Sequence, residues 1–479
     1  MSAPVPFGLL DAQTALRSGA WRAEALAEWC LERARATASL HGFVELAVEP
    51  TLAAARAAQA RWQAWQTVPA SAPPTVLNGI PLAHKDLFYR PGRAPGCGSR
   101  VPVPALRDCE ASVLVRLRLA GALDLGPLNL SEFAYGPTGH NRLLGTARNP
   151  YNPDHVCGGS SSGSALAVAS GAAYASLGTD SGGSIRTPAS WCNLTGLKPT
   201  RGAISLAGVM PLSMHMDTVG LLARQAIDLA ALFALLTGAD PSDPRTANAV
   251  PWDGEAFASA RARPIRLGVI EEWFYDDLSP AVAAGLDAAR SLWSGPLQAR
   301  VVAVRVKALD QLMRRARTLL LAEAWHTHRP LLERHDSLYD PRVLQRLLVG
   351  ATIESGEVQD ALAALSVSQA GFVEQAFADA DVLLLPCTPD VAPRVDASGP
   401  EATADMLRRI DGITRCLRPI NYLGLPALSV PAGFDTQGLP FGMQLVGRPG
   451  SEALLLALGE RWQAATDWHR RAAPGLGLN

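Results

Sequence analysis

Residues 158–186 read GGSSSGSALAVASGAAYASLGTDSGGSIR. Two Gly/Ser clusters, at 158–165 and 178–186, enclose an Ala-rich segment of helical character. Glycines let backbone N–H groups approach a bound group closely, and a helix that starts at the first cluster turns its positive end toward any negative charge there. Upstream, "LNGIPLAHKDLFY" at 77–89 is a short apolar run with turn residues on both sides, the pattern of a strand entering a loop. A helix at "ASVLVRLRLAGA" (111–122) and a strand in "LDLGPLNLSEF" (123–133) follow. The same alternation returns in "GSALAVASGAAYASLGTD", and strand, helix, strand in succession predicts an α/β fold.

Outward from this block the periodicity is less even. Residues 9–36 read as two amphipathic helices, with Leu26, Trp29 and Cys30 spaced i, i+3, i+4 on one face. The stretch 68–75, "VPASAPPT", is a Pro/Ala-rich connection. Residues 239–264, rich in Pro, Asp and Ala without period, read as an exposed excursion between two halves. Beyond it come a strand at "IRLGVI" (265–270), helical spacing at 309–328 and 358–380, and a strand at "DVLLLPCTP" (381–389). A hairpin at 424–449 turns at "TQGLP", and "EALLLALGERWQAA" closes as a helix.

Composition narrows the function. The chain has 479 residues, 48% hydrophobic and 18% charged, as ordinary globular proteins do. Its 43 Lys plus Arg nearly cancel 44 Asp plus Glu, so no field steers it to a phosphate backbone or to anionic lipid. A small neutral or polar substrate is expected, with neither nucleic acid nor membrane as partner. Seven cysteines without a CxxC pair argue against a disulfide framework and a zinc ribbon. The first thirty residues lack a secretion signal, and the charge-free stretch 155–179 is loaded with Gly and Ser in its first third. A cytoplasmic location is the expectation.

Two motif matches mislead. Residues 159–163 satisfy G-x-S-x-G and would nominate Ser161 as an α/β-hydrolase nucleophile, but none of His215, His326, His328, His335 and His469 sits in a matching loop signature. "TDSGG" at 179–183 would nominate Ser181 as in trypsin-like proteases, whose all-β fold does not suit this helix-patterned chain.

Taken together with "HKD" at 84–86, the two clusters resemble the amidase signature family. The resemblance extends through "NLSEFAYG", "RNPYNPDHVCGGSSSGSA", "GTDSGGSIRTPASWCNLTGLKPTRG", "PLSMHMDTVGLLAR", "DVLLLPCTP" and "NYLGLPALSVPAGFDTQGLPFGMQLVGRP". It implies one large three-layer α/β domain, a mixed central sheet covered by helices on both faces. The signature core would span about 75–235, a variable substrate-side segment about 240–380 and C-terminal landmarks about 381–465. It also implies a triad of Lys85, Ser160 and Ser184, with the Gly159–Ser160 peptide bond cis.

On that resemblance Ser184 attacks the carbonyl carbon of an amide, Ser160 takes its proton, and Lys85 must be neutral to accept it, which burial favours. Backbone N–H groups of Ser181, Gly182, Gly183 and Ser184 would form the oxyanion hole. Asp180 and Arg186 are expected to clamp the loop, and Ser161 to hydrogen-bond within it or cap the helix. Tyr135 and His215 are candidates for substrate binding. No metal or organic cofactor is implied.

Two positions depart from the family pattern: Ser162 stands where glycine is common, and Met214-His215-Met216 replaces smaller residues. The reaction expected is hydrolysis of a small carboxamide through an acyl-serine. An aryl acylamide or carbamate hydrolase, the A subunit of a glutamyl-tRNA amidotransferase, and a noncatalytic binding protein are the alternatives, the amidotransferase set below the free-standing amidase. Oligomeric state is open, a homodimer included.

Overall fold

Pro81–Lys85 (β1) and Leu123–Leu128 (β2) lie parallel, joined through the helix Ser112–Leu119. The computed structural model describes residues 4–68, 72–106, 109–395 and 403–476. The connection at 68–75 therefore falls partly outside the described residues, at 69–71. Ala175–Thr179 (β3) adds to the other side of β1, again parallel, after the helix Ser162–Ala169. Thr195–Lys198 (β4), Val219–Ala223 (β5), Arg266–Val269 (β6), Arg300–Ala303 (β7), Val382–Pro386 (β8), Ala427–Phe434 (β9) and Pro440–Val446 (β10) complete the sheet.

The order across the described sheet is β2-β1-β3-β5-β4-β9-β10-β8-β6-β7. Pairing is parallel at both ends, antiparallel through the centre from β3 to β8. In β3, β4, β5, β8 and β10 every residue is buried. Successive side chains point to opposite faces, so both faces of these strands must be covered. The sheet, its helical layers and the single large domain are those the family resemblance implies. β9 and β10 form the predicted hairpin, turning at residues 435–439.

The excursion at 239–264 is less irregular than its composition suggests. It carries the helix Gly254–Ala260, whose first turn is capped by the Asp253 carboxylate accepting from Ala256 N–H at 2.8 Å. Phe257 and Ala260 are buried. The Ala-rich helix Val48–Thr67 and the edge strand β7, two of whose four residues are exposed, are not signalled by apolar spacing. Among the described residues no helix is long and apolar enough to cross a membrane.

The topology brings the notable loops together. β1 and β3 run side by side, with His84 opposite Leu177, so Lys85 and Thr179 end their strands at the same edge. The Gly/Ser loop of 180–185 leaves β3 there, and the helix Ser162–Ala169 begins alongside. Ligand sites of α/β sheets form at the carboxyl ends of parallel strands.

Candidate active site

Lys85 is the last residue of β1 and is fully buried. Its Nζ donates to Ser160 Oγ at 2.7 Å and to Thr179 Oγ1 at 2.9 Å. Burial disfavours the ammonium and pulls Lys85 down to about 7, against the opposing charges of Asp217 and Asp180. Ser160 is equally buried, and the Gly159–Ser160 peptide bond is cis, as the resemblance implies. The loop before it is packed tightly: a Cβ on Gly159 would stand 2.4 Å from Gly139 N and 2.6 Å from Gly136 O.

Ser184 lies on the adjoining loop, where Ser161 N–H donates to its carbonyl at 3.3 Å. Ser184 is partly exposed and, with Ser181, Gly182 and Gly159, lines a small pocket. Tyr135, Leu212, Leu320, Arg346, Ile410, Thr414 and Arg418 form much of the rest of its wall. The geometry thus places Lys85 on Ser160 directly, and Ser184 in the pocket beside them.

Loop 180–185 is held from beneath by Asp180. Its carboxylate accepts from Gly183 N–H at 2.7 Å, Ile185 N–H at 3.2 Å and Asn421 Nδ2 at 2.8 Å, and faces Arg186 at 3.1 and 3.2 Å. Burial would raise the Asp180 carboxyl, but the charge and hydrogen bonds of Arg186 hold it well below the carboxylate range. Arg186 also reaches Gln444 at 2.9 Å, Leu417 O at 3.2 Å and Asn421 at 2.5 Å, so this ion pair carries hydrogen bonds on both partners. Because Gly183 N–H is given to Asp180, the amides left facing no acceptor among the described residues are those of Ser181, Gly182 and Ser184. Of the four amides that the resemblance implies as oxyanion donors, Gly183 N–H is therefore already engaged.

Other candidates have their own places. Ser161 Oγ donates to Thr179 O at 3.3 Å and does not cap the helix that follows it. Tyr135 lines the pocket with its hydroxyl buried and unpartnered. His215 does not line it: its ring is paired with Glu323, and its carbonyl accepts from Arg201 at 2.7 Å.

Asp217, Thr179, Arg346 and Arg418 also belong to the site, and no motif in the sequence singles them out. Asp217 is buried, accepts the Ser181 hydroxyl, and also accepts Leu212 and Ser213 N–H at 2.8 and 3.1 Å. It stands in "MHMDTVG", a stretch that draws notice for its departures rather than for its carboxylate.

Comparison with known proteins agrees with this architecture. The family profile described as Amidase matches residues 25–456. The chain is 35% identical to the A subunit of glutamyl-tRNA(Gln) amidotransferase from Roseiflexus sp., over 97% of each chain. It is 34% identical to the same subunit from Chloroflexus aurantiacus, over 96% of each. It superposes on a crystal structure of an amidase with a TM-score of 0.83 at 32% identity, covering 95% of this chain and 99% of that one. A buried lysine on a serine after a cis bond, a second serine on a glycine loop, and matches that run nearly end to end lead to one conclusion: the chain belongs to the amidase signature family.

Proposed function

We propose that the chain cleaves the C–N bond of a primary carboxamide through an acyl-Ser184 intermediate. Ser184 Oγ bonds to the carbonyl carbon while its proton passes through Ser160 toward Lys85. The same path returns a proton to the departing nitrogen, which leaves as ammonia. Water then adds to the acyl carbon and restores Ser184. The amides of Ser181, Gly182 and Ser184 would receive the charge that grows on the carbonyl oxygen. The observation that carries this reading is the 2.7 Å contact between a fully buried Lys85 and Ser160, since a lysine held near neutrality can accept a proton at working pH.

A second reading concerns the fate of the ammonia. The sequence ranks an amidotransferase A subunit below a free-standing amidase, but the names of the curated relatives favour the amidotransferase. In that reading the acyl donor is glutamine and the ammonia passes to a partner. Ammonia release by the purified chain alone, on glutamine, simple primary amides, anilides and carbamates, separates the cases. Turnover of simple amides supports a free-standing amidase. Activity confined to glutamine and dependent on added partner subunits supports the amidotransferase, and release of only amines or alcohols supports the acylamide or carbamate hydrolase.

A further inference from the structure

Arg418, in the short helix Arg418–Tyr422, packs against the glycine loop that carries Ser184. A Cβ built on Gly182 would sit 3.6 Å from Arg418 Nε. The Arg418 side chain is 4% exposed; Nη1 donates to Asp411 at 2.5 Å, and Nε is buried without a protein partner. Arg346 lines the same pocket, its guanidinium 3.7 Å above the Tyr135 ring, Nη1 on Tyr135 O at 2.8 Å and Nε again unpartnered. Among the described residues the one carboxylate bonded to Arg418, Asp411, is shared with Arg317 at 3.0 Å. No acidic side chain lines the pocket among the described residues. The neighbouring Glu132 and Asp340 are already engaged, by Ser99 and the Asp340 N–H and by His140 and the Arg342 N–H.

Two buried guanidiniums with free N–H groups, and no carboxylate at the wall, ask for an anionic acceptor. We propose that Arg418 is a specificity-determining residue that receives a carboxylate on the acyl side of the substrate, so that the preferred substrates are ω-amides of dicarboxylic acids without an α-ammonium group. An ammonium carried on the same acyl chain would meet these cationic side chains, with no acidic side chain at the pocket wall among the described residues. The proposal rests on the amide cleavage assigned to Ser184, and it adds the charge carried by the acyl group.

The test pairs succinamate with butyramide, and glutaramate with pentanamide and glutamine, with ammonia release as the readout. The wild-type chain is expected to prefer each anionic amide over its uncharged counterpart by about 10- to 100-fold in kcat/KM, and glutaramate over glutamine. Arg418→Met should remove most of that preference, lowering kcat/KM for succinamate far more than for butyramide. Equal use of succinamate and butyramide by the wild type overturns the proposal, as does a preference that survives in a folded Arg418→Met chain. Calorimetric titration of the wild type with the inert acids succinate and butyrate reads the charge preference without turnover. Tighter succinate binding with no amide cleaved sinks the Ser184 reading and upholds the anion site; equal or absent binding of both acids sinks the anion site.

Discussion

Lys85 Nζ meets two hydroxyls, Ser160 at 2.7 Å and Thr179 at 2.9 Å, and hydrogen-bonds no carboxylate among the described residues. A lysine so placed has lost its water without gaining a salt-bridge partner, which is why burial prevails over the charges of Asp217 and Asp180.

The pH profile follows. Only neutral Lys85 can accept a proton, and the group lies near 7, so kcat/KM should rise about tenfold per pH unit below that value and level off above it. An ascending limb near the ordinary lysine value would contradict the placement. Lys85→Arg, which cannot be deprotonated, should lose at least about 100-fold in kcat at every pH.

Asp217 offers a signed test of the same electrostatics. Its charge raises Lys85, so Asp217→Asn should move the acid limb of the profile to lower pH. A limb that stays in place or moves upward would remove Asp217 from the account. The single Asn oxygen can serve either the Ser181 hydroxyl or the Leu212 and Ser213 N–H groups, so a urea midpoint measured beside the profile separates lost charge from lost hydrogen bonds.

Arg186→Met should destabilise the fold by about 3–5 kcal/mol, because it leaves the fully buried Asp180 carboxylate without its counter-ion. Urea unfolding of the variant gives the number. A loss under about 1 kcal/mol would mean that the Asn421 and backbone N–H donors alone satisfy Asp180.

Gly159→Ala should be poorly tolerated, since the added Cβ meets the backbone atoms Gly139 N and Gly136 O, which cannot swing aside, as well as Ser131 Oγ. Overpacking of this kind costs about 1–3 kcal/mol. The variant should therefore unfold at lower urea than the wild type, whereas Gly438→Ala, with nothing within 4 Å, should suffer only from its positive φ.

Much of this was legible in the chain because the informative residues are sequence-local. The Gly/Ser clusters at 158–165 and 178–186 flank one helix and one strand, and the hairpin of β9 and β10 is contiguous. Arg346 and Arg418 were not legible. They reach the pocket that Ser184 lines from 162 and 234 residues downstream, and on their own elements an arginine reads as a solvated surface residue. The helix Val48–Thr67 escapes a periodicity reading because alanine supplies helix propensity without an apolar stripe. His215 draws notice as an unusual residue, yet Glu323 claims its ring.

The central claim is that Ser184 carries the acyl group. Intact-mass spectrometry of the chain quenched during turnover on a primary amide, followed by peptide mapping, tests it most directly. An added acyl mass is expected on the peptide containing Ser184, and in Ser184→Ala the loss of both that adduct and ammonia release. Full ammonia release by Ser184→Ala, or an acyl adduct on Ser161 or Ser181 instead, would contradict it.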